Sequence, residues 1–180
     1  MSLRAHFELM AAYNQWMNAK IYEAAGGLDP TELVRDRGAF FGSILGTLNH
    51  IVVADTIWLK RFATHPAFSR ALQDVADLPS ANSLNEILFA DFAALSERRA
   101  WLDRQIIDWV NALSDDDLNV VLHYHNTKGI SANRRFSSLL QHLFNHQTHH
   151  RGQVSTLLSQ AGVDIGVTDL LALIPDETQK

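Results

Sequence analysis

The sequence contains no cysteine, which excludes disulfide bonds, thiolate metal ligands and a nucleophile made from a protein thiol. If the protein performs thiol chemistry, a small molecule must therefore supply the thiol. The sequence also lacks a long run of lysine or arginine, and its formal net charge is -5. Because binding to a phosphate backbone depends on clustered positive charge, we expect no nucleic-acid partner.

Long apolar runs are absent as well. No segment approaches the ~20 apolar residues that a membrane-spanning helix needs, and the first residues contain no uninterrupted apolar core of a signal peptide. We therefore expect a cytoplasmic protein with no membrane partner. The chain has 180 residues, of which 47% are hydrophobic and 19% charged, and this fits one compact domain over residues 1–180. A core of that size needs no structural metal, so any bound metal is expected to serve the function.

Apolar residues recur with the 3.6-residue period of an α-helix in four long segments and one short one. The first predicted helix carries its periodic residues from Leu3 to Ile21 and stops at Gly26 and Gly27. The others extend, in chain order, from about Phe41 to Phe62, from Ser83 to about Leu113, from Phe136 to Ala161 and from about Thr168 to Leu173. For the third helix, the hydroxyl of Ser83 and the carboxylate of Glu86 are spaced as a capping box.

A different pattern separates the third and fourth predicted helices. Apolar Val120, Leu122 and Tyr124 alternate with residues that include His123 and His125, and Asn126 to Gly129 supply a turn. This alternation predicts a β-hairpin with the apolar side chains packed inward and the two histidines on its polar face. The predicted fold class is thus all-α, a four-helix bundle with a small hairpin and a short C-terminal helix.

The fourth helix carries a pair of histidines on its apolar face. At 100° per residue from Leu143, His150 lies about 20° and His146 about 60° from the centre of this face. Residues four apart stand one turn apart, which allows two imidazoles to share one metal ion. The alternative is a pair of core histidines that each have a separate hydrogen-bond partner. His142 pairs with His146 at the same spacing but lies nearer the edge of the face, as does His149.

A third ligand must come from another helix, and His50 in the second helix is the best candidate. That helix is apolar nearly all round, which implies burial on two sides, one of which could contact a dimer partner. Asp55 lies on the face away from His50, so we interpret it as a structural hydrogen-bond acceptor rather than a ligand. His6 and His65 have no partner at ligand spacing.

These motifs resemble the DinB family of metal-binding four-helix bundles, also called DinB/YfiT-like. The resemblance covers nearly the whole chain and is carried by Tyr13–Asn18 (YNQWMN), Leu48–Leu59 (LNHIVVADTIWL) and Asn145–Gln153 (NHQTHHRGQ), of which the last is the most specific. It implies a metal-binding triad of His50, His146 and His150, and it implies frequent dimerisation. It also implies kinship with thiol-dependent enzymes such as mycothiol-dependent maleylpyruvate isomerase and bacillithiol transferase.

Three neutral imidazoles would leave a metal ion with a net charge of +2 and an open position, as in catalytic sites. Such ligands suit a divalent transition metal, zinc or nickel before iron or cobalt, and disfavour magnesium and calcium. A metal-dependent thiol S-transferase is one predicted function, and a hydrolase that activates water is a variant of it. The alternative is a non-catalytic metal- or ligand-binding protein. Asn14, Asn145 and Gln153 are candidates to orient the ligands or a substrate.

Overall fold

Four long helices dominate the computed structural model, which describes residues 2–176. They are α1 (Leu3–Gly26), α3 (Ile44–Ala63), α6 (Phe92–Ala112) and α7 (Phe136–Gln160), and three short helices lie between them, α2 (Pro30–Val34), α4 (Pro66–Ser69) and α5 (Gln73–Ala76). Single 3-10 turns occur at Asp117–Asn119 and Leu170–Leu173. No helix in residues 2–176 is both long enough and apolar enough to span a membrane. The predicted helical class is confirmed.

Three of the four long helices begin where a polar side chain accepts a hydrogen bond from a free amide of the first turn. Ser2 accepts a hydrogen bond from the amide of Ala5 at the start of α1, and Ser43 accepts one from Gly46 at the start of α3. Helix α7 has no side-chain cap; the amide of Phe136 instead donates to the carbonyl of Val120, 2.9 Å away. The residue that precedes the hairpin therefore supplies part of the N-terminal capping of α7.

The predicted start of the third long helix at Ser83 is wrong, because α6 begins at Phe92 after the cap residue Asp91. Glu86 does not cap a helix at Ser83 but accepts hydrogen bonds from the backbone amide and side chain of Asn82. The backbone of this irregular segment bonds to α3 instead. Asn49 exchanges two hydrogen bonds with the backbone of Phe89, and these tertiary bonds replace the helical ones.

Two of the short helices begin at prolines that the sequence analysis did not assign to helices. Pro30 and Pro66 are the first residues of α2 and α4, where a missing amide proton costs nothing. Asp29 and His65 cap them through hydrogen bonds to the amides of Thr31 and Ala67. The predicted C-terminal helix is only the 3-10 turn at Leu170–Leu173.

The hairpin is confirmed at its predicted position. Strand β1 (Val121–His125) pairs antiparallel with β2 (Ser131–Arg135), and Gly129 adopts a positive φ of 74° in the connecting turn. Leu122 is buried and Tyr124 half-buried, whereas His123 is exposed. The alternation of burial therefore follows the alternation of the sequence.

The four long helices share one core. Helix α1 packs against α6 and α7, and α3 packs against α7, α6 and the short helices α2, α4 and α5. Most of α3 is buried as a result, on both of its apolar faces. The second apolar face of this helix is thus covered within a single chain, and its hydrophobicity does not by itself require a dimer partner.

Candidate metal centre

His50, His146 and His150 meet in the described structure, as the sequence analysis predicted. The Nε2 atom of His50 lies 3.3 Å from Nε2 of His146 and 3.2 Å from Nε2 of His150. Potential ligand atoms of all three residues lie within 4.8 Å of one another. The cluster could therefore hold a metal ion.

Two long helices position the three rings. His50 lies in the buried middle of α3, and its side chain is 5% exposed. His146 and His150 lie one turn apart on the face of α7 that packs against α3. His150 is 9% exposed and His146 is partly buried, so the cluster sits at the edge of the core.

The hydrogen bonds made by Nδ1 determine which ring nitrogen of His50 and of His150 carries the proton. His50 Nδ1 lies 2.7 Å from the carbonyl oxygen of Leu84, and His150 Nδ1 lies 2.7 Å from Oε1 of Gln153. Both oxygens are acceptors, so both Nδ1 atoms carry the proton and donate it. In a neutral ring this leaves the lone pair on Nε2.

Two Nε2 lone pairs therefore face each other at 3.2 Å with no proton between them. A bare arrangement of this kind is electrostatically unfavourable, and a cation at the point of convergence would satisfy both lone pairs. His146 adds a third ring, whose buried Nδ1 has no hydrogen-bond partner among residues 2–176. The donor set and its tautomers thus fit a divalent transition metal.

The protonation equilibria favour the same state. Burial, assisted by the neighbouring rings of His150 and His50, lowers the pKa of His146 to about 3. Burial also lowers the pKa of His50 and the pKa of His150. Desolvation disfavours the charged imidazolium, so the rings are neutral near pH 7, which is the form that coordinates a metal.

An aromatic side chain borders the cluster. The ring of Phe41 stacks on that of His50 with centroids 3.8 Å apart and planes 17° apart. It also meets His150 edge-on at 5.6 Å. Two of the three imidazoles therefore share one apolar neighbour.

Asp55 is fully buried and belongs to a polar network rather than to the triad, as predicted. Its Oδ2 atom accepts hydrogen bonds from Arg99 at 2.5 Å and from Gln147 at 2.7 Å. Gln147 follows His146 in α7, and Asp55 lies in α3 together with His50. This carboxylate therefore links three helices next to the histidine cluster.

The rest of this network was not predicted. Arg99 also pairs with Asp103 at 2.9 Å, and Asp103 accepts hydrogen bonds from Asn14 and Asn18 of α1. Arg151 of α7 donates to the side chain of Asn14. A sequence signal existed, since Arg99 lies four residues after buried Leu95 on the apolar stripe of α6.

The three residues that were predicted to orient the ligands or a substrate lie in different surroundings. Gln153 contacts the cluster directly through its hydrogen bond to His150. Asn14 instead belongs to the buried network of Asp103 and Arg151. Asn145 is exposed to solvent. Of the three, the described contacts support only Gln153 as a residue that orients a ring of the cluster.

The remaining histidines lie outside the cluster. His142 is exposed and packs edge-on against Trp58 at 5.1 Å, while its ring is 6.0 Å from that of His146. His149 is exposed on α7. His123 bonds to Asn133 across the hairpin, 2.5 Å away, on the polar face where it was predicted.

Comparison with known proteins supports the class that the fold and the histidine cluster define. The chain belongs to the DinB family, whose model matches residues 1–179. A protein from Bacillus subtilis (strain 168) named Protein DinB is 29% identical to it over 171 residues, which cover 93% of this chain and 94% of that protein. The resemblance noted from the sequence motifs is thereby confirmed.

Proposed function

We propose that the protein binds one divalent transition metal through Nε2 of His50, His146 and His150, and that it is a small-molecule thiol S-transferase. The observation that carries the proposal is the convergence of the Nε2 atoms of three buried or partly buried imidazoles, of which those of His50 and His150 face each other with no proton between them. Zinc or nickel is the expected metal, with iron or cobalt as alternatives. When bound, the metal would lower the pKa of a coordinated thiol and so supply a thiolate at neutral pH.

Neighbouring groups keep two rings of the cluster in the tautomer that binds a metal. Gln153 and the carbonyl of Leu84 hold the tautomers of His150 and His50, so both rings present a lone pair. The absence of cysteine means that the nucleophilic thiol comes from a separate molecule.

A thiol transferase accounts for the surroundings of the site better than a hydrolase does. A hydrolase usually needs a general base beside the metal. The buried carboxylate of Asp55 is already bonded to Arg99 and Gln147, and no carboxylate joins the candidate metal-binding cluster in the part of the chain that the structure describes. A metal that favours the thiolate reduces the need for such a base.

Metal-loaded protein screened with several low-molecular-weight thiols and electrophiles tests this proposal. Thiol consumption should require zinc or nickel and should disappear in the variant His50→Ala. His125→Ala is the matched control, because His125 is an exposed histidine of the hairpin and lies outside the cluster. Stoichiometric metal binding without any turnover would instead support a non-catalytic metal- or ligand-binding protein. Turnover of esters or amides without a thiol would support a hydrolase.

We also propose a homodimer, which is supported by the family resemblance rather than by α3, because that helix is covered within the chain. Exposed apolar side chains such as Val34 and Phe40 offer surface for such a contact. Sedimentation at micromolar concentration should give twice the mass of one chain, and a single-chain mass would reject the dimer.

A further inference from the structure

A tight loop between α2 and α3 holds Phe41 against the histidine cluster. Gly38 and Gly42 adopt positive φ values of 67° and 74°, which side chains disfavour. The amide of Gly42 donates to the carbonyl of Ala39, and the amide of Arg37 donates to the carbonyl of Gly42, each at 2.8 Å. These bonds close the loop on itself, so the direction of the Phe41 side chain is set by the backbone.

The loop is also pressed onto α3 at a point that only glycine permits. A Cβ atom at Gly46 would lie 2.1 Å from the carbonyl oxygen of Phe41, far inside van der Waals contact. Gly46 lies one helical turn before His50. The close approach of the loop to the helix is what allows the ring of Phe41 to stack on the ring of His50.

Phe41 and its neighbour Phe40 have different surroundings. Phe41 is partly buried and contacts the rings of His50 and His150. Phe40 is 86% exposed, and its ring meets that of Phe41 edge-on at 4.8 Å. Only Phe41, of these two, contacts residues whose Nε2 atoms converge. Phe41 therefore borders two of the three rings that would hold a metal.

We propose that Phe41 is a specificity-determining residue, and that it makes the site prefer thiols with a flat apolar group over thiols with a polar one. This inference rests on the proposed metal site. An aromatic ring fixed against two of the ligand rings adds apolar, aromatic area at the edge of the site, and contacts with such a ring favour an aromatic partner. Phe41 thus selects the ligand without coordinating the metal.

Cobalt-loaded protein and two probe thiols, benzyl mercaptan and 2-mercaptoethanol, test the inference without any need for turnover. Thiolate binding to Co²⁺ produces a charge-transfer absorption, from which a dissociation constant is obtained for each probe. We expect the unmodified protein to bind benzyl mercaptan about five- to tenfold more tightly. Phe41→Ala should bring the two constants close together, and Phe41→Leu should keep part of the preference.

Phe40→Ala is the matched control, because that ring belongs to the same loop but contacts neither His50 nor His150. It should keep the full preference. If Phe41→Ala changes both constants by the same factor, Phe41 has only a structural role and the inference is overturned. Equal binding of both probes to the unmodified protein would overturn the inference alone. A protein that takes up no cobalt would overturn the proposed function itself.

Discussion

The imidazoles of the cluster differ in what their outer nitrogens contact. His50 donates to a backbone carbonyl and His150 to a side-chain amide, and neither partner is charged. A carboxylate partner would favour the protonated ring more strongly, whereas these neutral oxygens raise the pKa of each ring by less than burial lowers it. The two partners therefore fix the proton on Nδ1 and keep Nε2 available for a metal, while burial keeps both rings neutral near pH 7.

We predict that the metal-free protein loses stability as the pH falls below about 6.5, the ordinary pKa of histidine in an unfolded chain. Burial lowers the pKa of His146 in the folded protein to about 3. The unfolded state therefore binds more protons in this interval, so the stability present above the unfolded pKa is lost as the pH falls toward the folded value. After allowance for the partial exposure of the ring, we expect His146 to account for about 1 kcal/mol at pH 5.

Urea denaturation at pH 7.5 and pH 5 measures this loss. The variant His146→Gln should show a smaller difference between the two pH values, while His125→Gln, altered at an exposed position of the hairpin, should match the unmodified protein. An unchanged difference in His146→Gln would mean that other groups carry the pH dependence.

The sequence analysis identified the three histidines but not all of their partners. His146 and His150 follow from helical spacing and from their place on an apolar face, which are local properties of α7. The bond from His50 to the carbonyl of Leu84 joins residues 34 positions apart, and no local pattern encodes it. The local signal at Ser83 and Glu86 even favoured a helix, which the contacts with α3 outweigh.

At the scale of elements, the loop between α2 and α3 can approach α3 closely because Gly46 has no side chain. We predict that Gly46→Ala destabilises the protein by about 1–3 kcal/mol, because its Cβ would overlap the carbonyl oxygen of Phe41 and force the loop away. Thermal and urea denaturation measure the change. The stacking of Phe41 on His50 should be lost as well, which the preference between the two probe thiols would report.

Gly152→Ala provides the comparison, because Gly152 lies inside α7 and nothing would meet its Cβ within 4 Å. Alanine has the higher helix propensity, so we expect this variant to gain up to about 1 kcal/mol. Equal stability of the two variants would show that the approach of the loop at Gly46 is not tight.

The long helices are also joined by buried charges. Asp55 of α3, Arg99 of α6 and Gln147 of α7 meet at one carboxylate, and Arg99 is 2% exposed. We predict that Asp55→Ala costs about 3–5 kcal/mol, since it leaves a buried guanidinium short of one partner. Urea denaturation measures this loss in the free energy of unfolding. In Glu8→Ala, which removes a surface ion pair with Arg4, the change should stay below about 1 kcal/mol.

At the scale of the whole molecule, the helical class and the hairpin were predictable because periodicity repeats over many residues. The network of Arg99, Asp103 and Asn14 was not, because Asn14 comes from another helix; the apolar stripe of α6 marks Arg99 as buried, but no local pattern identifies its partners. The histidine cluster occupies only one edge of a core that extends to the aromatic side chains of Phe62 and Trp109. Fold and metal binding are thus expected to be separable.

The variant His150→Ala tests that separation. We predict that it abolishes metal binding and leaves the protein folded, because His150 contributes one of three converging nitrogens while the core is built from four long helices. Loss of one buried imidazole should lower the free energy of unfolding by about 1–3 kcal/mol, which is small against a typical stability of about 5–15 kcal/mol. Circular dichroism should show an unchanged helical signal while metal analysis shows none bound. If the helical signal disappears together with the metal, the ion is structural, and the proposal of an open catalytic position loses its support.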